Sequence, residues 1–205
     1  MPKIQVGTRP FWARQLRQWH WISSAVCLVL MLMFAVTGVT LNHADRFENP
    51  GRSVVREVAL PEDLRERLSR LPQGAVVPDA LAVEIRRLTQ ADLSARKVDN
   101  QYGEMVFDLA APGRDRVLTI DLNARTMTYE VTNRGTVAMF NDLHKGRHAG
   151  SAWKFLIDLS AAFFVIFALT GFGLLALHAR GRVSTWPLTA LGLVAPVVVF
   201  LLLVH

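Results

Sequence analysis

Three stretches of the chain carry no Asp, Glu, Lys or Arg: residues 21–42, 159–177 and 183–204, of 22, 19 and 22 residues. A helix rises 1.5 Å per residue, so ~20 predominantly apolar residues cross the ~30 Å hydrocarbon core of a bilayer. Each stretch is expected to form a transmembrane helix, and the second grows longer if residues 153–158 belong to it. The first exceeds the apolar core of a signal peptide and lacks a small-residue cleavage site, so it is read as a retained span.

Between the first two spans the pattern changes. Asn49, Pro50 and Gly51 break the first helix and read as a linker. "PEDLRERLSRL" (61–71) places apolar residues at 64, 68 and 71, a helical spacing. "PDALAVEIRRLTQ" predicts a second helix, with Pro78 and Asp79 at its start. From Gly103 to Val131 apolar and polar residues alternate, with turns at Pro112–Gly113 and Asn123–Ala124, which predicts two or three antiparallel strands. The intervening region is thus a small α+β domain of about a hundred residues. It has no histidine between His43 and His144, no cysteine and no glycine-rich phosphate loop. Its carboxylates alternate with basic residues, the pattern of a solvated surface.

Charge adds an orientation. Residues 1–20 hold Lys3, Arg9, Arg14 and Arg17 and no acid, and Arg180 and Arg182 lie between the last two spans. These six account for the net charge of +6; the other 17 basic residues face 17 acidic ones between Asp45 and Asp158. Short basic segments stay in the cytoplasm. The N-terminus and the turn after the second span are therefore expected inside, with the α+β domain and the C-terminus outside. The basic balance is then a matter of topology, and nucleic acid is not an expected partner. Cys27 is the only cysteine and lies in the first span, so the outer domain has no disulfide.

The six histidines cluster at the span ends. His20 opens the first span and His43 closes it. His144 and His148 precede the second and His178 ends it; His205 is the last residue. A single histidine at such a position is an interfacial side chain like Trp or Tyr. Convergence of several brings metal chemistry into view, because ionisable groups near a bundle interior tend to be functional and neutral imidazole binds iron, copper and zinc. Neither cysteine nor Glu-x-x-His accompanies them, which disfavours zinc. A bis-imidazole haem between antiparallel helices matches better. Gly38, Gly171 and Gly173 would either give a porphyrin room or let helices pack closely, and "FAVTG" (34–38) echoes "FALTG" (167–171) as a weak internal repeat. His20 to His43 is ~34 Å of helix, close to the membrane thickness. His144 to His178 would be ~51 Å if wholly helical, so Gly146 and Gly150 are expected to interrupt it. Rise alone favours His148 over His144 as the partner of His43.

The stretches "RQLRQWHWISSAVCLVLMLMFAVTGVTLNHA" (14–44) and "NDLHKGRHAGSAWKFLIDLSAAFFVIFALTGFGLL" (141–175) resemble the PepSY-associated transmembrane helix proteins. The shared features are a Trp-His at the start of the first helix, Thr-Gly and Asn-His near its end, and a Leu-His-Lys-Gly-Arg turn into a second helix closing with Thr-Gly. "TIDLNARTMTYEV" resembles the back half of a PepSY domain. The resemblance implies an inner-membrane protein with a periplasmic PepSY-like α+β domain inserted between helices 1 and 2 of three. The implied segments are a cytoplasmic N-terminus (1–20), helix 1 (21–43), the periplasmic domain (44–143), a histidine turn with helix 2 (144–178), a turn (179–183) and helix 3 (184–205). Some family members are ferric or ferric-siderophore reductases with b-type haems on transmembrane histidines. By position His20, His43 and His144 match family histidines, and His148 and His178 match less closely. The resemblance favours His144 where rise favours His148. The chain has three helices where the larger reductases have four or more, and no flavin or NAD(P)H motif.

The expected function is haem-based electron transfer, with one or two b haems. One would lie on His43 and His144, with His148 as substitute or propionate contact, and a second on His20 and His178. Arg147 and Lys145 would either pair with propionates or serve as plain interfacial charge. The donor would be membrane quinol or a reductase; the acceptor would be a periplasmic ferric-siderophore or a redox protein. The alternative is a haem-free, membrane-anchored PepSY binding or regulatory module, or an assembly subunit of a larger membrane complex in which His205 completes a partner's site.

Overall fold

The structure is a computed structural model that describes residues 9–48 and 50–204. The expectations resting on Lys3, Asn49 and His205 lie outside the described residues. Helices α1 (Arg9–Asn42), α6 (Gly150–His178) and α7 (Thr185–Leu203) are each long and apolar enough to cross a membrane. In chain order α1 is followed by α2 (Ala44–Phe47), β1 (Arg52–Ala59), α3 (Glu62–Ser69), α4 (Asp79–Thr89), β2 (Asn100–Gln101), β3 (Glu104–Asp108), β4 (Arg114–Asp121), β5 (Thr126–Asn133) and α5 (Gly135–Lys145). The chain divides into two compact units, residues 1–33 with 156–205, and residues 34–155.

In the second unit the five strands form one antiparallel sheet in the order β1-β5-β4-β3-β2. β1 pairs with β5 along its whole length, from Arg52 opposite Asn133 to Ala59 opposite Thr126. The sheet is therefore larger than the expected two- or three-stranded meander, and the chain that follows the Asn49–Gly51 break is its edge strand. Side chains alternate across a strand, so Met105 and Phe107, Leu118 and Ile120, and Met127 share one face. Leu64 and Leu68 of α3 and Leu81 and Ile85 of α4 join them in one buried core. Both helices begin just after a proline and carry acids in the first turn, which suits the exposed N–H groups and positive dipole end there. No disulfide supports this core, which holds by burial. Burying one such side chain contributes ~1.5–3 kcal/mol.

Helix α5 adds to the expected elements, because its residues run up to and across the expected domain end at residue 143. It packs against the β3–β4 turn, where a Cβ on Gly113 would stand 2.7 Å from Met139 Cβ and 2.9 Å from Gly135 O. Only glycine allows that approach. α5 stops at Gly146, whose left-handed φ of +65° lets its N–H reach back to the carbonyls of Asp142 and Leu143. The turn over residues 146–149 thus separates α5 from α6, as the glycines imply.

In the first unit, residues 9–33 of α1 pack on α6. α1 is already helical at Arg9, so much of the segment expected as a cytoplasmic tail is the start of the first helix. A Cβ on Gly173 would lie 3.0 Å from Leu16 Cδ1, and Arg9 donates to the carbonyl of Leu177 at 3.0 Å. α7 meets α6 through Trp186 against Phe172, ring centroids 6.3 Å apart. Apart from Thr185 its described residues are not buried, which is the surface an apolar helix presents to lipid or to another chain.

Candidate functional site: two histidine seats

The two echoing pentapeptides have the same structural use. In each, the Phe and the Thr three residues later receive a histidine from another helix. In the first unit His20 of α1 lies on α6, its ring stacked on Phe167 at 4.4 Å and 17°. Its Nδ1 is 3.1 Å from both the Phe167 carbonyl and Thr170 Oγ1. In the second unit His144 of α5 lies on α1, its ring edge-on to Phe34 at 4.6 Å and 68°, with Nδ1 2.6 Å from Thr37 Oγ1. Thr37 and Thr170 are buried. The repeat is visible in the sequence through its small residues, which point to room for a haem. Its Phe and Thr positions are the signal that marks the seats.

The proton positions follow from the partners. A carbonyl oxygen only accepts, so Nδ1 of His20 donates to Phe167 O. Thr170 spends its own proton on Ile166 O at 2.6 Å, leaving its oxygen to accept as well. Thr37 Oγ1 lies 3.3 Å from a carbonyl of its own helix, Phe34 O; with its proton directed there, its oxygen accepts from His144 Nδ1 in the same way. In that arrangement both rings carry the proton on Nδ1 and present Nε2 as the free lone pair. Among the described residues Nε2 of neither ring makes a hydrogen bond. Burial, with the Lys145 ammonium adding to it, pushes the His144 imidazole below the ordinary histidine range and keeps it neutral.

The loop "NDLHKGR" explains how His144 is held. Asn141 is buried, accepts from Thr40 Oγ1 at 2.6 Å and donates to Glu48 Oε1 at 2.8 Å. Asp142 is buried too; it takes the Gly113 N–H at 2.9 Å, the Arg134 guanidinium at 2.5 Å and the Arg147 Nε at 2.9 Å. Trp153 donates to the Leu143 carbonyl at 2.9 Å. Arg147, expected on a propionate or as interfacial charge, is engaged by Asp142, with its outer side still exposed. Lys145 is exposed.

The other histidines are placed differently. His43 Nδ1 bonds to Val39 O of its own helix at 3.2 Å. Six residues beyond Thr37, His43 is turned ~120° from the face that receives His144. His178 Nδ1 bonds to Leu174 O at 2.8 Å. It stands seven residues beyond Gly171, nearly on the face that receives His20 and ~10 Å further along. His148 is exposed in the 146–149 turn with φ +55° and no seat. Among the described residues no group of three His, Cys, Asp or Glu is arranged to hold a bare metal ion.

Haem iron takes a neutral imidazole nitrogen whose partner N–H is held by an acceptor. His20 and His144 meet that requirement, and His43 and His178 have Nδ1 held in the same way. Of the two uses open to the small residues, α6 takes close packing. Gly171 and Gly173 are filled by His20 and Leu16, with a Cβ at Gly171 only 3.1 Å from His20 Cε1. Beside Gly38 the space is open. The donor chemistry fits a haem, and the glycines of α6 serve close packing of α1.

Three apolar helices of spanning length, an antiparallel sheet and two seated histidines define a membrane protein with a small α+β domain. The chain belongs to the PepSY-associated transmembrane family: the PepSY_TM-like family matches residues 11–205. No curated protein matches it. No solved structure matches it either.

Proposed function

We propose that the protein is a membrane b-type haem protein passing single electrons across the bilayer. The observation that carries this reading is the repeated seat, in which each imidazole is anchored at Nδ1 with Nε2 left for iron. His20 with His178 would hold one haem, and His144 would supply an axial nitrogen to the other. Bound haem supplies a one-electron carrier; the chain's residues supply axial nitrogens, their tautomer and the dry surroundings. The basic N-terminus and the 178–182 turn favour a cytoplasmic location for the His20 end in an inner membrane, with the PepSY-like domain in the periplasm. The donor would be quinol or a reductase, and the acceptor a ferric-siderophore or a periplasmic redox protein.

The test is the colour of the protein purified after expression with haem supplied. A Soret band that sharpens and shifts on dithionite reduction supports the reading, and His20→Ala and His144→Ala should each remove part of it. A folded, colourless preparation overturns it in favour of a haem-free binding or assembly module.

A further inference from the structure

Alternation of charge along a strand is not a mixed surface. Asp115 and Arg116 are neighbours in sequence, yet point to opposite faces of the sheet. The register puts Glu57, Glu104, Asp121 and Glu130 on the open face, and Arg56 and Arg116 on the face that carries the core. Beyond the cover of α3 and α4, that second face opens into a concavity of about 420 Å³. Arg86, Arg96 and Arg116 line it with Tyr129, Gln90 and Ser94. Asp92 is the one carboxylate on its wall. Hydrogen bonds from the Ser94 side chain and backbone, then the nearby Arg86 and Arg96, hold that carboxyl below its usual range.

Three guanidiniums therefore face one carboxylate that is already engaged. Among the described residues none of the three makes an ion pair, whereas Arg65, Arg67, Arg70, Arg125, Arg134 and Arg147 all do. Nε of Arg116 is buried with no hydrogen-bond partner. A buried donor left unsatisfied costs free energy, and a planar fork of N–H groups matches the two oxygens of a carboxylate or phosphate. The volume suits a small organic molecule.

We infer that this concavity is a binding site for a small anion bearing two or more oxyanion groups, held by Arg86, Arg96 and Arg116. The site is independent of the haem reading. The test is calorimetric titration of the full-length protein in neutral detergent, at physiological salt, with citrate and separately with pyrophosphate. Saturable binding of citrate marks a carboxylate ligand, and saturable binding of pyrophosphate a phosphate ligand; either supports the site. Arg116→Gln and the exposed Arg86→Gln should each weaken binding about tenfold or more, the loss expected for a charge-assisted hydrogen bond. Arg70→Gln, paired elsewhere with Glu66, should leave it unchanged. No saturable binding of either probe, or undiminished wild-type affinity in both the Arg86→Gln and Arg116→Gln variants, overturns the proposal.

Discussion

His20 and His144 occupy equivalent positions on two copies of one pentapeptide, yet they are not held equally. His20 lies flat on Phe167 and has two acceptors for Nδ1, one of them a carbonyl that cannot reverse its role. His144 meets Phe34 by its edge and depends on a hydroxyl alone. What His144 lacks in direct contacts is supplied by its own helix, through Asn141, Asp142 and the Leu143 carbonyl. One seat is built from the surface that receives the ring; the other is built from the segment that carries it. The two should therefore fail under different substitutions.

The largest effect is expected at Asp142. Its carboxylate is buried between Arg134, Arg147 and the Gly113 N–H. Asp142→Ala leaves the little-exposed Arg134 without its closest partner and should cost ~3–5 kcal/mol of stability. Thermal unfolding in detergent measures it. ¹⁵N spectra of labelled histidine should show His144 displaced and His20 unmoved; equal disturbance of both would refute the distinction. Next comes Gly171→Ala, whose added methyl meets His20 Cε1 at 3.1 Å. Overpacking of this kind costs ~1–3 kcal/mol, and here it should disturb the His20 resonance alone.

A smaller and sharper contrast comes from the paired threonines. Thr37→Val removes the partner of His144 Nδ1, so its neutral tautomers should mix, at a cost of ~0.5–1.5 kcal/mol. Thr170→Val leaves Phe167 O in place, and His20 should stay protonated on Nδ1. The ¹⁵N shifts of the two neutral forms differ and are read without any haem. Loss of tautomer order in both variants, or in neither, would mean the seats are equivalent after all.

The spans are legible in the sequence because an element of a water-soluble fold seldom runs ~20 residues without a charge on its wet side. The helices 61–71 and 78–90 and the strands from 103 onward are legible because each buries a single face at its own period. β1 is not. It is an edge strand with Val54 and Val55 both exposed, so no alternation marks it. The extent of α1 is hidden because its first turns are rich in Arg and Gln, good helix formers that hydropathy ignores. At the site, histidine clustering and the Phe-Ala-x-Thr-Gly echo are visible. The partners are not, because the residues that meet His20 and His144 are 147 and 107 positions away. The alternating arginines and carboxylates look like one surface along the chain, and the pleat of a strand sorts them onto two.

The smallest predicted effect again separates the two seats, through pH. His144 is pushed below the ordinary value of 6.5 by burial and by Lys145. In the unfolded chain its imidazole takes a proton at its ordinary value; in the folded chain it resists until lower pH. The unfolded state therefore binds more protons in the window just below pH 6.5, and stability falls there as pH falls. Above that window both states are neutral and the contribution is flat; below the folded value both are charged and the loss stops growing. Protonation also turns Nε2 into a donor, so any function that uses its lone pair should decline over the same interval. Urea unfolding of the wild type and His144→Gln between about pH 7.5 and about pH 5 tests this, over a range set by the ordinary histidine value. The wild type should lose more stability than the variant on going down in pH. Parallel curves would mean that His144 titrates alike in both states, and that the loop around it holds the backbone without shielding the ring.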